Sequence, residues 1–142
     1  MTKVFLVRRA SAGDRKKWTG DDRLRPLDER GFREAEGLVK LIQEGRPTRV
    51  FFSGYVRCRQ TVEPPAEALG LEVEERVELV EGASSTDVHR LVDGVSRELP
   101  VLCTHGDVVG ELLGEERPKG STWVVELANG ELERLEYLPP PT

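Results

Sequence analysis

Two adjacent arginines, Arg8 and Arg9, stand directly after a short apolar run at residues 4–7. Such a run is typical of a buried strand, and ligands of open α/β sheets bind at the carboxyl ends of the strands. Two guanidinium groups at that place would hold an anion, best a phosphate, through forked hydrogen bonds. Gly13 and the small residues before it would let the backbone approach that ligand closely. The alternative is a strand end whose arginines point into solvent.

Two later segments carry residues that suit the same chemistry. Ser53-Gly54, followed by Arg57, comes after a second short apolar run, and His105 comes after a third. If the three strands are parallel neighbours, their ends meet at one edge of a sheet. Arginines that hold a phosphoryl group there, with a histidine beside it, would form a site for phosphoryl transfer. Taken singly, Arg57 is consistent with an exposed helix start, and His105 is more typical of a capping or core histidine. Their position at successive strand ends favours a site.

The spacing of apolar residues predicts the elements that must position these side chains. Strands are predicted at residues 4–7, 49–52 and 100–104, an edge strand or extended segment at 71–80, and a terminal hairpin at 121–127 and 132–138 around Asn129-Gly130. Helices are predicted at residues 26–43, capped by Asp28, at 57–69 and 87–98, and at 107–113, capped by Asp107. Strands that alternate with helices before a closing hairpin indicate a three-layer α/β/α sandwich with a mostly parallel sheet.

The charge of the chain is unevenly distributed. The net charge is −5, yet residues 1–25 carry eight Lys or Arg against three Asp, so the remainder is strongly acidic. Most of the surface would repel a polyanion, which excludes nucleic acid as the expected partner and favours a phosphorylated small molecule or phosphoprotein. Much of the basic charge lies in a predicted loop at residues 14–25, in which Trp18 is interpreted as a packing anchor rather than a stacking surface for a base or sugar.

The 142 residues are expected to form a single domain at 1–138 with a Pro-rich tail at 139–142 that frays. No apolar run is long enough to cross a bilayer and no signal-peptide pattern is present, so a cytoplasmic location without membrane contact is expected. Cys58 and Cys103 are expected to be free thiols. With two histidines and no ligand cluster, neither a metal nor another cofactor is expected. The sequence carries no signal for an oligomeric state.

Four segments of the chain, in order, resemble the motifs of one family. They are residues 4–13 (VFLVRRASAG), 25–31 (RPLDERG), 53–61 (SGYVRCRQT) and 101–106 (VLCTHG). Over residues 1–127 the chain thereby resembles the histidine phosphatase (phosphoglycerate-mutase-like) superfamily, in its short SixA-like phosphohistidine phosphatase branch. It also resembles the phosphatase-like domain that follows the Nudix domain in some MutT-type hydrolases. The resemblance implies a phosphoglycerate-mutase-like fold and hydrolysis of a phosphohistidine or a phosphomonoester.

The resemblance also implies roles for individual residues. In the family a histidine after the first arginine attacks phosphorus, and water then hydrolyses the phosphohistidine. By that resemblance Arg8, Arg57 and His105 line the phosphate pocket, and Arg9 stands at the position of the nucleophile. A guanidinium is always protonated and has no lone pair to offer phosphorus, so Arg9 is not competent for the attack.

The acid that protonates the leaving group has three candidates. Glu81 is the nearest match to the family's acid, and Glu78 and Asp107 are weaker matches; the alternative for all three is a solvated surface carboxylate. A carboxyl group can act as this acid only if its pKa is raised or the pocket is dry.

Three hypotheses about function follow from Arg9. The chain is a phosphatase that is inactive or slow, a module that binds a phosphorylated ligand without turnover, or a variant of an active phosphatase in which a histidine codon has become an arginine codon. All three share the fold and the anion pocket, and only Arg9 separates them.

Overall fold

The structure is a computed structural model, and it describes residues 2–141. Within that range the chain forms six strands: β1 (Thr2–Arg8), β2 (Arg49–Phe52), β3 (Val73–Glu75), β4 (Pro100–Thr104), β5 (Thr122–Ala128) and β6 (Glu131–Leu138). The four α-helices of the same range are α1 (Glu29–Gly45), α2 (Val56–Leu69), α3 (Ser85–Gly94) and α4 (Gly106–Leu113). The strands make one sheet in the order β3-β2-β4-β1-β5-β6.

The sheet is parallel in its first four strands and antiparallel at its end. β1 and β2 both pair in parallel with β4, and β3 pairs in parallel with β2. β5 runs antiparallel to β1, and β6 returns along β5 with a register shift between Val124 and Val125. The predicted α/β fold with a mostly parallel sheet and a C-terminal hairpin is confirmed.

Strand β1 is apolar on both faces because helices cover both sides of the sheet. Val4 and Leu6 belong to a core that contains residues of α3 and α4, whereas Phe5 and Val7 belong to a second core that contains residues of α1 and α2. Successive side chains of a strand point to opposite faces, so this division places α1 and α2 on one side and α3 and α4 on the other. The result is the predicted three-layer sandwich, with β1 and β4 at its centre.

Several predicted element boundaries were wrong. α1 was predicted at residues 26–43 and lies at Glu29–Gly45, and α3 ends at Gly94 rather than at residue 98. The segment 71–80 forms a strand of three residues followed by a single 3-10 turn at Val77–Leu79, not one extended element. α3 begins at Ser85 because Ser84 and Asp87 form a reciprocal capping box before it. Asp107 does not cap α4, because His105 holds the N-cap position and makes no side-chain capping bond.

The loop after β1 is fastened to α1. Asp28 caps the helix by accepting from the Gly31 N–H at 2.8 Å, and it also accepts from the Ser11 hydroxyl at 2.8 Å. The Ser11 N–H donates to Glu34 Oε1 at 2.8 Å. A Cβ at Gly31 would collide with the Ser11 carbonyl, so only glycine lets the loop and the helix come this close. These contacts fix the backbone immediately after the two arginines.

The Pro-rich tail, which was expected to fray, makes one close contact with the domain in its described part. Pro141 lies against α1 at Gly37, where a Cβ would collide with the proline ring. A helix position without a side chain therefore provides the surface on which the tail packs.

Candidate functional site

A cleft of about 560 Å³ opens where β1 and β4 end, at the carboxyl edge of the parallel strands. Its walls carry five cationic side chains from three parts of the chain, together with one imidazole: Arg8, Arg9, Arg15, Arg25, Lys119 and His105. Carboxylates lie among them at Asp14, Glu81, Asp107 and Glu116. The sequence prediction placed Arg8, Arg9 and His105 at this edge, and the structure brings all three together on the cleft wall.

Arg8 is held by the connection between α4 and β5. Its Nη1 donates to the Arg117 carbonyl at 2.6 Å, and its Nη2 lies 3.6 Å from Glu116 Oε1. A Cβ at Gly106 would stand 2.6 Å from that same Nη2, so the guanidinium rests against the bare first turn of α4. The Nε of Arg8 is buried and has no hydrogen-bond partner.

Arg9 is half-buried, and its side chain has few partners. Nη1 donates to the carbonyl of the adjacent Ala10 at 3.2 Å, and the buried Nε has no partner. Burial lowers the pKa of this guanidinium, and repulsion from three neighbouring guanidinium groups lowers it further, to about 10 in total. These neighbours are Arg57, Arg8 and Arg25. The charged form of Arg9 is therefore disfavoured in the ligand-free cleft.

Lys119, which also lines the cleft, has a lowered pKa for the same reasons. Burial lowers the pKa of its ammonium group, and repulsion from Arg9 and Arg8 lowers it further. Two separate cations of one cleft thus have their charged forms disfavoured. An anion placed between them would relieve both.

His105 is buried and packed by β2 and α2. Its Nε2 is hydrogen-bonded to Ser53 Oγ at 2.9 Å, and its ring meets the Tyr55 ring edge-on with centroids 4.5 Å apart. The Cys58 sulfur lies 3.7 Å from the same Nε2. The Nδ1 has no hydrogen-bond partner and lies 3.8 Å from Glu81 Oε2. One nitrogen is thus engaged by the protein, and the other is unpaired.

Arg57 lies at the same edge of the sheet but behind the cleft wall. Its side chain is fully buried, and its guanidinium donates to the Asp22 carbonyl at 2.8 Å and to Asp22 Oδ2 at 3.0 Å. A third bond runs to Glu81 Oε2 at 3.1 Å. Two carboxylates and one backbone carbonyl of the protein thus accept from the terminal nitrogens that the sequence prediction assigned to a phosphate, and the buried Nε has no hydrogen-bond partner.

Glu81 is tied to the 14–25 loop and to Arg57. Arg15 Nη2 donates to Glu81 Oε1 at 2.8 Å. Burial raises the pKa of Glu81, but the bond from Arg15 and the nearby positive charges outweigh this, so the pKa lies below its ordinary value. A general acid needs the opposite shift. In the ligand-free state Glu81 is an ionised partner of arginines.

The two weaker acid candidates have other partners. Glu78 accepts from Arg76 at 2.7 Å and does not line the cleft; Arg76 lowers the pKa of this carboxyl. Asp107 does line the cleft, where its carboxylate accepts from the Gly82 N–H at 2.8 Å. That bond ties the start of α4 to the segment that carries Glu81.

The contribution of the 14–25 loop to the cleft was not predicted from the sequence. Arg15 reaches Glu81, and the buried Arg25 donates to Asp22 Oδ1 at 2.9 Å and to the Gly13 carbonyl. Burial raises the pKa of Asp22, but bonds from Arg25 and Arg57 outweigh this and bring it from 3.8 to about 2. The local excess of positive charge in the first 25 residues was the available signal.

Among the residues that the structure describes, no group of three or more His, Cys, Asp or Glu side chains is placed to hold a metal ion. Cys58 and Cys103 are buried free thiols. None of the helices between residues 2 and 141 combines the length and apolar character needed to cross a membrane.

Solved structures share this architecture. A SixA-type protein from Agrobacterium tumefaciens is 24% identical, with a TM-score of 0.79 over 98% of this chain and 99% of that one. The protein histidine phosphatase SixA complexed with tungstate is 24% identical, with a TM-score of 0.80 over 98% and 97% of the two chains. Phosphoserine phosphatase from Entamoeba histolytica, complexed with 3-phosphoglyceric acid, is 14% identical, with a TM-score of 0.75 over 97% of each chain. The fold is therefore phosphoglycerate-mutase-like.

Sequence comparison narrows this class to a family. Residues 4–90 match the model of the histidine phosphatase superfamily (branch 1), and the chain belongs to that superfamily. The 8-oxo-(d)GTP phosphatase of Mycolicibacterium smegmatis is 39% identical over 155 residues, which cover 97% of this chain and 48% of that protein. The chain thus spans about half the length of this relative. The predicted superfamily is confirmed, and the SixA-type structures, at 24% identity, show the same fold.

Proposed function

We propose that this chain binds a phosphoryl group of a small molecule or phosphoprotein in the cationic cleft and holds it on Arg9 without forming a phosphoenzyme. The observation that carries the proposal is the state of the arginine pair. The Nε atoms of Arg8 and Arg9 are buried without partners, and the pKa of Arg9 is lowered to about 10. A dianionic phosphate bound to the parts of these side chains that line the cleft would supply the missing negative charge.

The remaining residues of the cleft support binding more than turnover. Arg9 occupies the position that the family resemblance gives to the nucleophile, and a guanidinium has no lone pair for the attack. Glu81 is ionised and paired with arginines, so no proton is available there for a leaving group at neutral pH. His105 contributes a free Nδ1, which can donate to a phosphate oxygen when it carries a proton.

The relatives support a phosphorylated ligand. The Mycolicibacterium protein acts on 8-oxo-(d)GTP according to its name, and SixA is a protein histidine phosphatase. Both ligand classes therefore belong to the proposal: a phosphorylated small molecule and a phosphoprotein. The Mycolicibacterium relative is about twice as long as this chain, so its activity bears on the ligand of this cleft only as a proposal.

Isothermal titration with inorganic phosphate at low ionic strength tests the binding step. We expect saturable binding by the chain as given and binding at least tenfold weaker for Arg9→Gln, since a hydrogen bond to a charged group contributes roughly 1.5–3 kcal/mol. Arg33→Gln is the matched control, because Arg33 is 68% exposed on α1 and away from the cleft. Equal affinities for all three proteins, or no binding by any, would contradict the proposal.

A second candidate function is phosphomonoester hydrolysis, which would require a histidine in place of Arg9. The observation that favours it is the fixed position of His105, which is bonded to Ser53 and packed against Tyr55. Rapid quench with a labelled phosphomonoester separates the two. We expect no phosphoenzyme on the unmodified chain and an acid-labile one on Arg9→His if the other residues are competent. A phosphoenzyme on the unmodified chain would overturn the binding proposal, whereas inactivity of Arg9→His would leave binding as the better account.

A further inference from the structure

A second, smaller cavity adjoins the cationic cleft on the side of the 14–25 loop. It measures about 210 Å³ and shares three wall residues with the cleft: Gly13, Asp14 and Arg25. Its remaining walls differ in chemistry, since they are an indole, a lysine, a proline ring and a leucine (Trp18, Lys17, Pro26 and Leu27). The cleft suits an anion, and the adjoining cavity suits a flat apolar group.

Trp18 is presented to solvent at this cavity rather than packed into a core. Its side chain is among the exposed large hydrophobic groups, at 38% exposure, whereas Trp123 is 8% exposed and belongs to a hydrophobic core. The indole Nε1 donates to the Asp21 carbonyl at 2.9 Å, and the backbone N–H donates to the Asp14 carbonyl at 3.1 Å. The ring is held in place by contacts within the loop, which is consistent with the expected packing role, and its exposed part is open to a ligand.

Gly13 lines both cavities. A Cβ placed on this residue would meet no heavy atom within 4 Å, so no neighbouring side chain fills the space at this position. Arg25 also lines both cavities, and its guanidinium is bonded to the Gly13 carbonyl and to Asp22. A ligand with one part in each cavity would therefore pass Gly13.

We propose that the ligand of the cleft is a phosphomonoester that carries a planar aromatic group, with its phosphate on Arg8 and Arg9 and its ring against Trp18. This inference rests on the proposed function and names the ligand class for the same site. Stacking on an aromatic side chain is tolerant of ring type, so the aromatic group is either a nucleotide base or a ring esterified directly. The two sources differ in the length between phosphorus and ring.

Titrations with matched ligands test the inference. Inorganic phosphate reports the cleft alone, ribose 5-phosphate adds the sugar, and a nucleoside 5′-monophosphate adds the base; phenyl phosphate represents the directly esterified ring. The proteins are the chain as given, Trp18→Ala, Trp18→Phe, and Leu24→Ala as the control. Leu24 is 59% exposed in the same loop and lines neither cavity.

We expect one aromatic ligand to bind roughly 5- to 150-fold more tightly than ribose 5-phosphate, the range that stacking of one base on an aromatic side chain gives. Trp18→Ala should abolish this difference and leave the affinity for inorganic phosphate unchanged, while Trp18→Phe and Leu24→Ala should retain most of it. Quenching of the Trp18 fluorescence by the aromatic ligand is expected in parallel. The tighter of the two aromatic ligands identifies the source of the ring.

Two results would overturn the inference, and they are distinguishable. If inorganic phosphate binds but aromatic and non-aromatic esters bind equally, or if Trp18→Ala keeps the difference, the stacking role is wrong and the proposed function stands. If no phosphate compound binds any of the proteins, the proposed function fails and the inference fails with it.

Discussion

Replacing Arg9 by methionine should stabilise the ligand-free protein, although it removes a charged group from the candidate site. The pKa of Arg9 falls to about 10 on folding, and without screening a shift of that size corresponds to about 3 kcal/mol of unfavourable free energy for the charged form. Because Arg9 is only half-buried, solvent screening reduces this penalty to about 2 kcal/mol. Arg9→Met removes this penalty and keeps an unbranched side chain of similar length. It loses one hydrogen bond to the Ala10 carbonyl, worth about 1 kcal/mol. The expected net gain is about 1 kcal/mol.

The sign of this effect depends on pH and on the ligand. Because the folded-state pKa lies below the unfolded one, the penalty is fully present below pH 10 and disappears only as the pH rises towards the ordinary pKa of arginine. At pH 7 without phosphate, a gain of about 1 kcal/mol should raise the melting temperature by about 4 °C. With phosphate at a hundred times its dissociation constant, the unmodified chain gains about 2.7 kcal/mol, whereas a variant that binds phosphate tenfold more weakly gains about 1.4 kcal/mol. The order of stability should then reverse.

Thermal and urea denaturation in phosphate-free and phosphate-containing buffers measure this crossing. Arg33→Met is the control, because Arg33 is exposed and its ion pair with Glu29 spans 3.8 Å. The stability of this variant should differ from that of the unmodified chain by less than about 0.5 kcal/mol in either buffer. The reasoning is refuted if Arg9→Met is less stable than the unmodified chain without phosphate. An equal gain from phosphate in both proteins would refute it as well.

Three further predictions concern the supports of the cleft. Gly106→Ala should displace the Arg8 guanidinium and weaken phosphate binding roughly tenfold in titrations. Gly94→Ala at the end of α3, at a position where a Cβ meets no neighbouring atom and which does not line the cleft, should leave the affinity for inorganic phosphate unchanged. Asp22→Asn should destabilise the fold by about 1 kcal/mol at pH 6 after allowance for solvent screening. The folded pKa of Asp22 is about 2, against 3.8 in the unfolded chain. The difference in urea stability between the unmodified chain and Asp22→Asn should therefore shrink as the pH falls from 3.8 through 2. Asp28→Ala should lower the free energy of unfolding by about 1 kcal/mol, because the cap of α1 is lost. Ser84→Ala, which removes the cap of α3, is the comparison. An unchanged stability of Asp28→Ala would show that Ser11 and Gly31 find other partners.

The sequence predicted the positions of Arg8 and His105 because each follows an apolar run that is buried on both faces of the sheet. Runs of this kind predict which strands lie at the centre of the sheet and where the ends of those strands meet. The partners of Arg57 were not predictable in the same way. Asp22 and Glu81 reach it from a 3-10 turn and a loop, and no periodicity in the sequence links those segments.

Local chemistry also limited the prediction of the acid candidates. Glu81 was chosen for its place in the family motif, but its pKa is set by Arg15, which lies 66 residues away in the sequence. Asp107 has the residue type of an N-cap, yet the helix begins one residue earlier, and the carboxylate binds the Gly82 N–H instead. In both cases a contact between distant segments overrides what the neighbouring residues indicate.

The two open edges of the sheet bear on how the protein behaves at high concentration. An unpaired edge strand invites another chain to add to it, which leads to aggregation. β3, at one edge, offers only three residues, and β6, at the other, carries exposed Glu131, Glu133, Arg134 and Glu136 next to the register shift in β5. Short length, charge and an interrupted ladder all discourage strand addition, so the sheet can remain open at both ends without acting as a template for fibres.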